Sequence, residues 1–299
     1  MTLEQLKYLD AIVKHGSFRA AAEAVFRSQS SLSISIQKLE QELNIKLFER
    51  SGYRPTLTHA GKAIYQKVKK TLNHSREIHD LARHLSQGHE AELRLAISGI
   101  IPIEPIITTL NHINHKHPET RITLLLENLN GIMERVYDDD ADIAITDAFE
   151  PNVQYEGIHL TEIPFVTVIP STSKWAQCTK NMSEEALENE TMIIVRDTSH
   201  HSTRMSKGVL EGTPQWVVND FETKRRILCS GKGWGRMPLH LVQEDIAQGR
   251  LSALQFDAAQ TFSVPIHLVR KNNKFVGPVE QMLWSTLQDI GWKAPPATI

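Results

Sequence analysis

Leu32, Ile36, Leu39 and Leu43 recur at intervals of four, three and four, the period of one buried helical stripe. The spacing predicts a helix from about residue 30 to 43. A serine of the Ser28, Ser30, Ser31 cluster is available as its N-cap. The opposite face carries Gln29, Ser30, Ser33, Ile34, Gln37 and Lys38, short-chained and without a carboxylate. Just upstream, residues 18–25 form a second helical pattern rich in alanine, the best helix former. Phe26-Arg27-Ser28-Gln29 breaks the two apart. Leu6, Leu9, Ile12 and Val13 predict a first helix over residues 3–15, closed by Gly16. A helical hairpin with such a face can enter a major groove and hydrogen-bond base edges. By spacing alone it is equally an ordinary hairpin with a wet outer face.

After the hairpin, Ser51-Gly52 is a turn between two short extended pieces, a small wing carrying Arg50 and Arg54. Residues 59–87 then read as one helix, interrupted by no proline and by glycine only at Gly61. Ile64, Val68, Thr71, Ser75, Ile78, Ala82 and Leu85 alternate spacings of four and three, a coiled-coil seam roughly 45 Å long. Thr71 and Ser75 weaken its middle, where Leu72 and Leu81 are expected to help. The alternative is a helix packed on its own chain. Gly88 and His89 mark a hinge.

From Glu92 onward the period changes. Strands are expected at 93–98, 121–126, 142–146, 166–169, 192–195, 215–218 and 262–269. Helices are expected within 99–115 and at 131–137, 221–230, 239–248 and 276–290. Strands alternating with helices argue a parallel α/β sheet.

Composition sharpens this division. Between Arg27 and Lys70, nine Lys/Arg stand against three Glu, a net +6, whereas the whole chain of 299 residues carries −2 and the remainder therefore −8. A basic block on an acidic remainder suits a phosphate-binding module joined to one that does not bind nucleic acid. Residues 1–10 lack the basic and apolar regions of a signal peptide, and no apolar run reaches the eighteen or so residues of a membrane span. The expected location is the cytoplasm, with no membrane partner. Cys178 and Cys229 make no disulfide framework.

The N-terminal sixty residues resemble the DNA-binding domain of the LysR-type transcriptional regulators. The resemblance is carried by Ser17-Phe18 with Ala21-Ala22, and by Ser28-Gln29 with Leu32-Ser33. It continues through Lys38-Leu39-Glu40 with Glu42-Leu43, then Leu47 to Arg50, and Leu57-Thr58 with Ala60-Gly61. Two positions depart: Ser30 stands where the family usually has proline, and Ile34 where it often has arginine. Further on, residues 231–242 and Asp142, Ala144 and Thr146 resemble, more loosely, the effector domain of the same family. The resemblance implies an all-α winged helix-turn-helix (1–58) and a linker helix that pairs two subunits (59–89). It then implies an α/β two-lobed effector domain (90–299) like the periplasmic binding proteins. Lobe I would be about 90–163 and 268–299, and lobe II about 164–267, with crossings near Ile163 and His267. The implied partners are double-stranded DNA, a small-molecule effector and further copies of the chain as a dimer of dimers; RNA polymerase is admitted as another. No cofactor is implied.

Gln29, Ser30, Ser33, Ile34 and Gln37 form the expected base-reading face, with Arg50, Arg54 and Lys38 or Lys62 on phosphate. No nucleophile elbow, Walker loop or H-E-x-x-H pattern argues for an enzyme. Gly231-Lys232-Gly233-Trp234-Gly235 reads as a tight strand-to-helix turn. His112, His115 and His117 read as a solvated helix end in preference to a metal site. Cys178 and Cys229 leave open a redox-sensing alternative within the family, and an enzyme or an architectural protein with a DNA-binding domain are the rival classes. Ligands of open α/β sheets bind beyond the carboxyl ends of strands. That rule selects Ser98, Gly99, Ile100, Asn128, Thr146, Asp147 and residues 196–201. The backbone N–H groups of residues 98–102 are expected at a helix start, favouring a polar or anionic ligand. Thr198, His200 and Ser202 are expected across the cleft, Thr146 as floor and Phe221 as wall, with His200 or His201 donating to an anion.

Overall fold

The computed structural model describes residues 1–49, 55–87, 90–177, 184–200, 208–254, 262–272 and 275–292. It forms two compact units, Met1–Ser86 and Gln87–Ile299.

The first unit begins with α1 (Leu3–His15), entered through a capping box between Thr2 and Gln5 and ended by Gly16 at φ 67°. Ser17 caps α2 (Phe18–Ala24) and Ser28 caps α3 (Gln29–Leu43), each accepting from the amide three residues on. Strands β1 (Phe48–Glu49) and β2 (Thr56–Leu57) pair antiparallel at the base of the wing. Arg50 and Arg54 lie outside the described residues, as do Gly88 and His89. Helix α4 (His59–Gln87) follows. Leu6, Leu9, Ile12, Ala21, Leu32, Ile36, Leu39, Leu47 and Phe48 form one core. Leu43, the last member of the α3 stripe, packs on its rim.

The family motifs in this unit are structural devices. Glu40 is buried, and its Oε1 accepts from the Leu47 and Phe48 amides at 2.8 and 3.3 Å, tying α3 to β1. Thr58 donates to the Lys46 carbonyl and accepts from the Gly61 amide, which starts α4 against β1. A Cβ at Gly61 would stand 2.2 Å from the Leu47 carbonyl oxygen, so only glycine lets α4 come this close.

The seam of α4 is divided. Val68 is buried in the core of its own unit beside Tyr65, with Ile64 and Leu72 packed against it. Tyr65 also donates to Asp10 on α1 at 2.8 Å. Ile78 is 69% exposed and Ala82 is exposed. The upper part of the expected pairing surface is therefore intramolecular; the side chains of Leu81 and Leu85 lie outside the described residues.

The second unit comprises β3 (Glu92–Ser98), α5 (Glu104–Lys116), β4 (Arg121–Glu127), α6 (Asn130–Tyr137), β5 (Ile143–Thr146) and β6 (Tyr155–Pro170). It continues through β7 (Met192–Val195), β8 (Gln215–Val218), α7 (Phe221–Cys229), β9 (Gly235–Pro238), α8 (Leu239–Ala247), β10 (Leu251–Leu254), β11 (Ser263–Lys271) and α9 (Pro278–Asp289). The sheet order is β10-β6-β11-β5-β3-β4, with β9 also on β6 and a separate β7-β8 pair. The sheet is mixed, which corrects the expectation of a parallel one. Only β3-β4, β3-β5 and β7-β8 are parallel among the described strands, because β6 and β11 run against their neighbours. Strand β6 is sixteen residues long and spans both lobes. Its first part pairs with β11, and from Phe165 onward it pairs with β9 and β10.

Alternation along β3 divides the first lobe. Leu93, Leu95 and Ile97 pack with Ile106 and Ile113 of α5 and Leu283 and Leu287 of α9, whereas Ala96 faces Ile132 and Val136 of α6. Asp142 anchors that lobe by a two-pronged pair with Arg94, at 2.7 and 3.0 Å. In the second lobe Val166, Val168, Ile193, Leu228, Met237 and Val242 share a core. Residues 231–235 prove to be a helix-to-strand turn, from α7 into β9. A Cβ at Gly233 would lie 2.5 Å from the Thr191 carbonyl oxygen, while Trp234 is fully buried. No described helix is long and apolar enough to cross a membrane.

Candidate functional site

The polar face of α3 is set by the same periodicity that buries Leu32, Ile36 and Leu39. Gln29, Ser30, Ile34 and Lys38 are exposed, and Ser33 and Gln37 are half-buried at the edge of the stripe. The Ser30 hydroxyl lies 3.1 Å from that of the capping Ser28, and Lys62 near the start of α4 is exposed. A solvent-facing row of amides, hydroxyls and one lysine can exchange water for base edges and phosphates.

The second unit contains a cavity of about 90 Å³. Ser98, Ile100, Asn128 and Asp147, at strand ends, line it together with Phe221. Gly99 lies against it: a Cβ there would be 3.0 Å from Asn128 Oδ1 and 3.7 Å from the Phe221 ring. Four features differ from expectation. Helix α5 starts at Glu104, so residues 98–102 do not form its N-terminus. The Gly99 amide donates to Glu127 and that of Ile101 to Ser98, while the Ser98 hydroxyl donates to Asp147 at 3.0 Å. Thr146 is fully buried in the β5–β11 pairing and its hydroxyl accepts from the Ala148 amide, so it is no floor to the cavity. Thr198 is held by Asn128, and the His200 amide donates to Glu134 on α6 at 2.6 Å; neither residue lines the cavity. His201 and Ser202 lie outside the described residues.

The cavity walls hold groups that periodicity alone did not single out. Phe165 stacks on Phe262 with centroids 5.2 Å apart and meets Phe221 edge-on at 6.2 Å. Lys224 and Arg236 bring positive charge: the Lys224 ammonium lies 5.8 Å from the Phe221 ring, and the Arg236 guanidinium 5.7 Å from that of Phe262. Lys224 is 4% exposed. Burial, and then the charge of Arg236, lower its pKa to about 7. One signal could have found it: Phe221, Lys224 and Leu228 recur at three and four, which places a lysine on the buried stripe of α7.

Other sets carry less chemistry. His112 and His115 are exposed on α5, and no described group of three or more His, Cys, Asp or Glu could hold a metal ion. Burial, followed by the neighbouring Asp245, raises the Cys229 thiol, the reverse of what a reactive thiolate needs. Cys178 lies outside the described residues.

Two family models match. Residues 3–62 match the bacterial regulatory helix-turn-helix protein, lysR family, and residues 86–291 match the LysR substrate binding domain. The chain is 29% identical over 266 residues to the probable transcriptional regulator YhaJ of Escherichia coli K12, covering 88% of this chain and 89% of YhaJ. Full-length CbnR complexed with its target DNA shares the fold at a TM-score of 0.60 and 17% identity, covering 97% of this chain and 99% of CbnR. Full-length LysG from Corynebacterium glutamicum with bound effector Arg does so at 0.54 and 18%, covering 97% of each. With both models matched in order and together spanning nearly the whole sequence, the chain belongs to the LysR family of bacterial transcriptional regulators, which act by binding DNA and a small effector rather than by catalysis.

Proposed function

We propose that α3 reads the operator through Gln29, Ser30, Ser33, Ile34 and Gln37, with Lys38, Lys62, Arg50 and Arg54 on phosphates. We further propose that the effector occupies the cavity bounded by Ser98, Gly99, Ile100, Asn128 and Phe221. The observation that carries this reading is the cavity between the β3 and β4 strand ends and α7, which belong to different lobes. A ligand touching both lobes binds the closed arrangement better, and only such a difference in affinity shifts a conformational equilibrium. Thr198 and His200 act on the same equilibrium from outside the cavity, as lobe-to-lobe contacts rather than ligand contacts. The exposed part of α4, with Ile78 and Ala82, pairs two copies of the chain in the cytoplasm.

Genome-wide footprinting identifies the operator. DNA-binding titrations with and without candidate metabolites then test the cavity. Ser98→Ala removes the hydroxyl that orients Asp147, and is expected to blunt the effector response while leaving effector-free DNA affinity intact. An unchanged response in Ser98→Ala and Phe221→Ala would place the sensor elsewhere.

A further inference from the structure

We propose that the effector is a small organic monoanion with an apolar body, its carboxylate bound by Lys224. This rests on the reading of the cavity as the effector site.

Lysines on a protein surface extend their ammonium groups to water. Lys224 instead points inward on the face of α7 that carries Phe221 and Leu228. Gly235 on β9 makes room for it: a Cβ at that position would stand 2.8 Å from Lys224 Cε and 3.1 Å from Nζ. The Phe221 ring lies beneath the ammonium. Among the described residues no carboxylate pairs with Lys224. The charged group that acts on it is Arg236, of like sign, and Asp147 on the cavity wall receives the Ser98 hydroxyl instead.

A buried ammonium is costly without an opposite charge. A ligand carboxylate supplies that charge, and Arg236 adds a second positive group on the same wall. The rest of the lining is largely apolar: Phe165, Phe221, Phe262, Ile194 and Val264 offer aromatic and branched surfaces to a hydrocarbon body. Among the described residues Lys224 is the buried ammonium without a carboxylate partner, and one such cation selects a single negative charge. Because the buried ammonium titrates near neutrality, an arriving carboxylate raises its pKa and draws in a proton above pH 7.

The test is calorimetric titration of the full-length protein at pH 8 with phenylacetate and hexanoate, beside phenylacetamide and hexanamide. Two buffers of different ionisation enthalpy are used. The acids are expected to bind at least tenfold more tightly than the amides, with fractional proton uptake read from the buffer dependence on the unaltered protein. Lys224→Met, which keeps the chain length, should lose at least tenfold for the acids, lose the proton uptake and leave the amides unchanged. Equal binding of acids and amides, absence of proton uptake, unaltered acid affinity in Lys224→Met, or no binding of either acid overturns the proposal. Ile194→Trp separates the two readings. If amides bind the unaltered protein as tightly as acids and this substitution blocks them, the cavity remains the site and the charge inference fails. If ligands bind Ile194→Trp like the unaltered protein, the cavity itself is not the site.

Discussion

Thr198 and Asn128 hold each other by three hydrogen bonds: the Asn128 amide donates to Thr198 Oγ1 at 2.9 Å, and the Thr198 hydroxyl and amide both donate to the Asn128 carbonyl, at 3.2 and 3.4 Å. Asn128 follows β4 and Thr198 follows β7, so the pair joins two separate sheets of the second unit. The Asn128 side chain adds a 2.7 Å bond to the Asn219 carbonyl, next to the start of α7. Thr198→Val keeps the shape and leaves the Asn128 amide unsatisfied, at a cost of about 1–3 kcal/mol. The expected result is a more open lobe arrangement and weaker effector binding, read by small-angle scattering and titration. Gly131→Ala should act in the same direction, since its Cβ would fall 2.0 Å from Thr198 Oγ1.

On α3, Gln29→Ala should relax preference at one base position by about 1–3 kcal/mol. Lys62→Ala should instead weaken all sequences alike and reduce the salt slope by about one unit. Binding to a randomised operator library, measured at several salt concentrations, distinguishes the two. An unchanged preferred sequence in Gln29→Ala would remove it from the reading face.

Along α4, Val68 and Ile78 share a seam by spacing but not by environment. Val68→Asp places an unpaired charge in the core and should cost more than about 4 kcal/mol, unfolding the first unit. Ile78→Asp leaves that core untouched and should dissociate the paired chains with circular dichroism unchanged. Light scattering at micromolar concentration checks the second outcome, and thermal melts the first.

Gly61→Ala tests whether the motif glycine is structural. Its Cβ meets backbone at the Leu47 carbonyl rather than a movable side chain, so α4 must shift from β1. A loss of about 1–3 kcal/mol or more in the first unit is expected from urea melts.

Lys224 also predicts a pH dependence of stability without ligand. Its pKa is lowered from 10.5 to about 7 on folding, so between these values the unfolded chain binds more protons than the folded one, and stability rises with pH. Below about pH 7 the buried ammonium is charged and its penalty is complete. Lys224→Met should therefore be the more stable protein at pH 6, with the advantage shrinking toward pH 10. Denaturant melts across that range would show parallel curves if the lysine were instead solvated.

Local pattern was sufficient for the first unit. The stripe of Leu32, Ile36 and Leu39, the Ser28 cap and the Gly16 terminator act within a few residues, so period and capping chemistry set the helices and the outward face of α3. Strands β3, β4, β7 and β8 were legible for the same reason. Strands β9 and β10 were not: four residues each, they exist because β6 offers backbone partners far away in sequence. The long β6 was legible only at its apolar end, residues 166–169; its first half is part of one continuous strand because β11, far along the chain, pairs with it.

Patterns along the chain carry the family motifs, the helices of the first unit and the outward face of α3, because each depends on residues close in sequence. Tertiary structure decided which polar groups are already satisfied and which are left for a ligand. Ser98, Thr146 and Thr198 read as strand-end donors, yet Ser98 is engaged by Asp147, Thr146 by Ala148 and Thr198 by Asn128. Spacing puts Lys224 on the apolar stripe of α7, but only the packing of α7 against β9, where the missing Cβ of Gly235 makes room, takes its side chain away from water. Hydrogen-bond satisfaction and desolvation are properties of packed neighbours, and residues 98, 128, 198, 224 and 235 become neighbours only in the fold.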